Sequence, residues 1–163
     1  VKQHYVRFAR YNQWANIRFF NAADSLSEDK LWQDKGAFFG SLMGTLNHIL
    51  VADGLWMARF SREAVPPLTL NSVLHRDLPG LRRAREKMDL RILDFVGSLD
   101  ETQLASTLDY ANTQGERQSL PLELLLAHLF NHQAHHRGQA HGLLSQLGAE
   151  PPALDLMYFI RQG

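Results

Sequence analysis

PLELLLAHLFNHQAHHRGQAHGLLSQLG, residues 121–148, decides the fold and carries most of the chemistry. Pro121 suits the start of a helix, where its missing N–H costs nothing. Gly148, directly after Leu147, is the expected left-handed residue at the other end. Working outward, three more stretches carry apolar residues at helical period. Residues 4–23 place Tyr5, Phe8, Ala9, Asn12, Ala15, Phe19 and Ala22 on one side, and residues 41–62 do so with Leu42, Leu46, Ile49, Leu50, Trp56, Met57 and Phe60 after a Ser41 cap. Residues 78–99 open with Asp77 as cap and Pro79 in the first turn, then run through Leu81, Ala84, Met88, Ile92, Leu93, Phe95, Val96 and Leu99. Stretches of about 20 residues make helices roughly 30 Å long. Four of matched length predict an all-α four-helix bundle.

The connections add detail. Residues 25–40 and 64–77 are each long enough to cross a bundle end to end, so simple up-down wiring is not forced. Leu108–Tyr110 alternates, Asn112–Gly115 reads as a turn and Arg117–Ser119 follows, which predicts a small hairpin between the third and fourth helices. Pro151 and Pro152 stop the last helix, and the apolar tail Leu154–Ile160 is expected to pack on the bundle or on a partner. No repeat or linker divides residues 1–163, which read as a single domain.

Composition excludes several function classes. With 17 basic and 17 acidic residues there is no cationic surplus for phosphates, so nucleic acid is not an expected partner. The longest uncharged run, Gly36–Ala52, is too short and too polar for a membrane span, and the N-terminus lacks a signal peptide's apolar segment, so a cytoplasmic protein is expected. Without cysteine there is no disulfide, iron–sulfur ligation or thiol nucleophile, and any metal must rest on His, Asp or Glu.

Five of the eight histidines fall at positions 128, 132, 135, 136 and 141. His128, His132 and His136 are spaced i, i+4, i+8, and imidazoles one turn apart can share an ion. Spacing alone also fits histidines on a polar face. Beside them, Ala134, Gly138 and Gly142 form a small-residue ridge, which predicts a close helix contact because interior glycines cost helix stability. In the apolar run LMGTLNHILVA, His48 lies between Gly44 and Ala52 and needs a partner, either a shared metal or a side chain such as Asn47 or Asn131. No HExxH and no Glu-x-x-His occurs, which argues against a zincin and a di-iron carboxylate bundle, while bis-histidine haem stays open. A site of His48 with two histidines of the fourth helix would leave a coordination position for water, substrate or a thiol.

YNQWAN (11–16), GAFFGSLMGTLNHILVADGLW (36–56), NHQAHHRGQ (131–139) and PPALDLMYFIR (151–161) resemble the DinB family of damage-inducible proteins across nearly the whole chain. The resemblance implies up-down-down-up wiring, a homodimer and a divalent metal held by His48, His132 and His136, with Ni²⁺ or Zn²⁺ expected. It leaves His128 one turn before the ligands in a supporting role, and Arg137 and Gln139 as polar contacts near the site. His135 and His141 are expected to be exposed polar residues, and Asp53, about 140° around its helix from His48, to form a salt bridge rather than a metal bond. Related proteins imply either a hydrolase using metal-bound water or an S-transferase using an external small thiol. The substrate would be a small molecule, and no catalytic residue beyond the ligands is assigned. The alternative is a non-catalytic, stress-associated bundle whose metal is structural.

Overall fold

The computed structural model describes residues 1–162. Four long helices, α1 (Lys2–Ala23), α3 (Leu42–Phe60), α4 (Leu78–Ser98) and α6 (Leu122–Leu147), account for most of the chain. Shorter elements fill the connections: α2 (Glu28–Trp32), α5 (Glu101–Ala105), β1 (Thr107–Ala111), β2 (Arg117–Pro121) and α7 (Leu156–Arg161). The expected boundaries hold within two residues, and the caps explain why. Ser41 Oγ accepts from the Gly44 N–H, an Asp77 carboxylate oxygen accepts from the Gly80 N–H, and Gly148 closes α6 at φ 86°.

The predicted hairpin is present as an antiparallel pair, with Leu108 opposite Leu120 and Asp109 opposite Ser119. The tail packs on α1, where Tyr11 Oη donates to the Leu154 carbonyl and Phe159 lies against Tyr11 and Trp14. The short helices α2, α5 and α7 were not expected. Five or six residues carry too little periodic signal, although Asp100 and Gln103 form a full capping box on α5. No helix among the described residues is long and apolar enough to cross a membrane.

Each long helix packs on two others: α1 on α4 and α6, and α3 on α4 and α6. The interior is divided into two apolar clusters. One gathers Phe19, Leu42, Leu46, Leu81 and Leu144; the other gathers Tyr5, Met57, Ile92, Val96 and Leu126. Between them lies a polar layer. Asn12 and Asn16 of α1, Asp53 of α3, Arg85 and Asp89 of α4, and Gln133 and Arg137 of α6 are all buried.

The layer is tightly connected. Arg137 Nη1 donates to Asn12 Oδ1 at 2.6 Å, and Asn12 and Asn16 each donate to Asp89 at 3.0 Å. Arg85 pairs with Asp89 at 2.9 Å and with Asp53, which also accepts from Gln133 Nε2 at 2.8 Å. Two arginines face two aspartates, so the layer is neutral in sum. The expected salt bridge of Asp53 is therefore present, and its partner is Arg85.

The glycine ridge departs from expectation. A Cβ built on Gly138 or Gly142 would meet nothing within 4 Å, so neither glycine answers a close helix contact within this chain. Close approach occurs instead at Gly44, where a Cβ would stand 2.1 Å from the Phe39 carbonyl oxygen. Density of small residues marks a ridge; it does not say whether anything lies on it.

Candidate metal centre

His48 projects from the apolar middle of α3 and is 3% exposed, while His132 and His136 project from successive turns of α6 and are half-buried. Their ring tips converge. His48 Nε2 lies 3.2 Å from Nε2 of His132 and 3.2 Å from Nε2 of His136. No other group of three His, Cys, Asp or Glu ligand atoms among the described residues comes together in this way.

The far side of two rings is held by oxygen. His48 Nδ1 lies 3.0 Å from the Leu70 carbonyl, and His136 Nδ1 lies 2.8 Å from Gln139 Oε1. Oxygen acceptors place the ring protons on Nδ1, which turns the bare Nε2 lone pairs toward one another. Converging lone pairs repel unless a cation lies among them. Two imidazole nitrogens bound at 2.0–2.1 Å on a tetrahedral ion stand about 3.3 Å apart, close to the spacing found. The donor set therefore fits a divalent ion, and neutral imidazoles suit zinc or nickel.

The rings are also held neutral. Burial and the neighbouring imidazoles push His132 down to about 3. Burial lowers His48 and His136 as well, against the opposing hydrogen bonds to Leu70 and Gln139.

Local sequence explains each placement. Asn47 accepts from the Leu74 and His75 N–H groups and donates to the His75 carbonyl, which fastens the connection between α3 and α4 over the site. Within that connection a turn closed by Thr69 and Ser72 presents the Leu70 carbonyl. The expected side-chain partners of His48 are thus replaced by a backbone oxygen; Asn47 is occupied with the same loop. Gly44 lets the chain before α3 come close, and Phe39 stacks on the His48 ring at 3.8 Å between centroids.

Other histidine-rich positions sort out clearly. Gln139 contacts the site as expected, and its amide nitrogen lies 3.2 Å from His135 Nε2, so exposed His135 helps orient it. Arg137 does not reach the histidines; one residue further round α6, it belongs to the polar layer. His141 is half-buried rather than exposed, with Nε2 2.9 Å from the Pro152 carbonyl. His128 makes no contact with the ion position; its ring packs edge-on against Trp56 at 5.1 Å. It forms a wall of a cavity of about 270 Å³ that also includes His48, His132, Trp56 and Tyr110.

Sequence comparison gives the family. The DinB family model matches residues 2–162. The chain belongs to the DinB family. Protein DinB of Bacillus subtilis (strain 168) is 26% identical over 144 residues, covering 85% of this chain and 83% of that protein. Among solved structures, a DinB-like protein from Bacillus cereus ATCC 10987 aligns with a TM-score of 0.69 at 20% identity, over 90% of this chain and 94% of that one. A DinB-like protein from Bacillus subtilis aligns with a TM-score of 0.64 at 16% identity, over 91% and 97%. At these identities the structures establish a shared DinB-like fold.

Sequence reading missed Phe39, the Leu70 carbonyl and the polar layer. The layer had a signal. Asn12/Asn16, Arg85/Asp89 and Gln133/Arg137 are three i, i+4 polar pairs, and Asn12 already stood in the apolar period of its helix. Phe39 and Leu70 lie in loops, where no period marks which residue turns inward.

Proposed function

We propose that this DinB-family chain is a metal-dependent enzyme with a divalent ion, Ni²⁺ or Zn²⁺, held by His48, His132 and His136. The observation that carries the reading is the set of Nε2 atoms facing one another while oxygen acceptors hold Nδ1 of His48 and His136. When bound, a divalent ion supplies Lewis acidity that ionises a water or a thiol at its free position. The chain's own residues do the rest. Leu70 and Gln139 fix two ring orientations, Phe39 covers the His48 ring, and the cavity beside His48 and His132 admits a small molecule. No Asp or Glu lines that cavity, so proton transfer rests on water, on the incoming thiol or on His128. Hydrolysis, or transfer to an external small thiol, is the reaction class this supports.

The wiring we assign is up-down-down-up. Along α1 and α6, numbering passes from the Tyr5–Leu126 cluster through the polar layer to the Phe19–Leu144 cluster; along α3 and α4 it passes the other way. A homodimer is part of the same reading, supported by exposed Met157, Tyr158 and Ile160 on α7.

Metal analysis of untagged protein tests the site. About one divalent ion per chain is expected, lost on His48→Ala and on His136→Ala. Variants that keep the wild-type content would overturn the site.

A further inference from the structure

The cavity beside the histidines contains a cation that nothing in the protein neutralises. Arg59, on α3 three turns beyond His48, is 9% exposed. Its guanidinium lies 4.8 Å from the Trp56 ring centroid and 5.5 Å from that of Tyr110. Its Nε is buried without an acceptor, and no carboxylate among the described residues pairs with it. By contrast, Arg82, Arg85 and Arg91 each pair with a carboxylate. A buried charge without a counter-ion is costly, and aromatic faces offset only part of that cost.

Arg59 lines the same cavity of about 270 Å³ as His48 and His132. The positions His48, Ala52, Leu55 and Arg59 follow one face of α3, and long helical side chains lean toward the helix N-terminus, here toward His48. From Arg59 the wall continues through Trp56 to His128, whose ring centroid is 5.8 Å from that of His132. The hairpin turn adds Asn112 and Thr113, and no acidic side chain enters the lining. Three neutral imidazoles around a divalent ion would leave a second positive centre in the same cavity.

We propose that Arg59 receives the carboxylate of a small anionic substrate whose other end reaches the three-histidine site. This rests on the metal-centre reading and adds to it a substrate class: a compact carboxylate with its reactive group several bonds away. The guanidinium rests against the Trp56 and Tyr110 rings, whose own centroids are 5.3 Å apart, and its planar fork of N–H donors matches the two oxygens of a carboxylate. The volume favours a metabolite over a peptide.

The test uses the whole chain loaded with zinc or nickel. The probes are straight-chain hydroxamates of four to eight carbons, ending in a carboxylate or in the isosteric carboxamide, with binding measured by calorimetry. The carboxylate is expected to bind tighter by about ten-fold or more at one chain length, as a charge-assisted bidentate contact allows. Arg59→Gln should remove that preference while metal content stays unchanged, and Arg59→Lys should restore only part of it. A purely structural Arg59 would not produce a preference between the probes. Equal affinities at every length in wild type, or a preference that survives Arg59→Gln, would overturn the assignment; the wild-type comparison decides even if the variants do not fold. Failure of both probe series together with absence of bound metal would instead overturn the metal centre, and this proposal with it.

Discussion

Gln139 Oε1 lies 2.8 Å from Nδ1 of His136, one turn along the same helix, and fixes which nitrogen of that ring faces the ion position. The contact is local to α6, so it can be removed without disturbing the helix packing. Gln139→Leu should weaken metal binding by about 10–100-fold, the usual cost of losing such a partner, with little loss of thermal stability in the metal-free protein. Competition against a chromogenic chelator measures the first quantity and thermal melting the second. Unchanged affinity would mean that the ring orients itself without Gln139.

Protons compete with metal for these rings, and the sign is fixed by burial. His132 is pushed down to about 3, and His48 and His136 shift the same way, so the metal-free folded protein resists protonation where the unfolded chain accepts it. Stability of the chelated protein should therefore fall as pH drops below about 6.5, the ordinary histidine value, and continue falling toward the lowered folded values. Thermal melts between pH 8 and pH 5 report the slope. His132→Asn should make it shallower; an equal slope in that variant would place the titration elsewhere.

Two glycines in helices should respond oppositely to alanine. At Gly44 a methyl would collide with the Phe39 carbonyl, so Gly44→Ala should cost about 1–3 kcal/mol and loosen metal binding by displacing the Phe39 ring from His48. At Gly138 there is open space, so Gly138→Ala should gain about 0.5–1 kcal/mol of helix stability. Denaturant unfolding compares the pair. A destabilising Gly138→Ala would show that another surface lies against that face, which sedimentation of the variant would then reveal.

The polar layer predicts an asymmetry between its buried ion pairs and those at the surface. Asp89 accepts from Asn12 and Asn16 and pairs with Arg85, all buried, so Asp89→Ala would leave buried Arg85 and Arg137 with the single carboxylate of Asp53 and should cost about 3–5 kcal/mol. Exposed Glu63, whose pair with Arg91 lies at the surface, should cost under about 1 kcal/mol when replaced by Ala. Urea melts of the two variants, fitted with a common slope, make the comparison.

The helices, their caps and the hairpin were legible because each depends on residues within a few positions of one another. The convergence of the three histidines was legible for a mixed reason. His132 and His136 are one turn apart, whereas choosing His48 needed either the oddity of an imidazole in an apolar run or the likeness to DinB sequences. What escaped was set by tertiary contact: the Leu70 carbonyl, the stacking of Phe39, and the direction of Arg137 toward α1 rather than α3. The glycine ridge misled because a helix records small side chains equally whether a neighbour touches them or not.

Candidate metal ligands and core polar residues alternate on α6, with His132 and His136 each followed directly by Gln133 and Arg137. Side-chain tips lie about 5–6 Å from a helix axis, so turning α6 by about 10° would carry an imidazole nitrogen roughly 1 Å. That exceeds the ~0.5 Å tolerance of a working site. Any such turn must also pull Gln133 from Asp53 and Arg137 from Asn12. The buried polar pairs therefore act as an angular detent for α6, and the aim of the histidines is set from the neighbouring face of their own helix, about 100° around its axis.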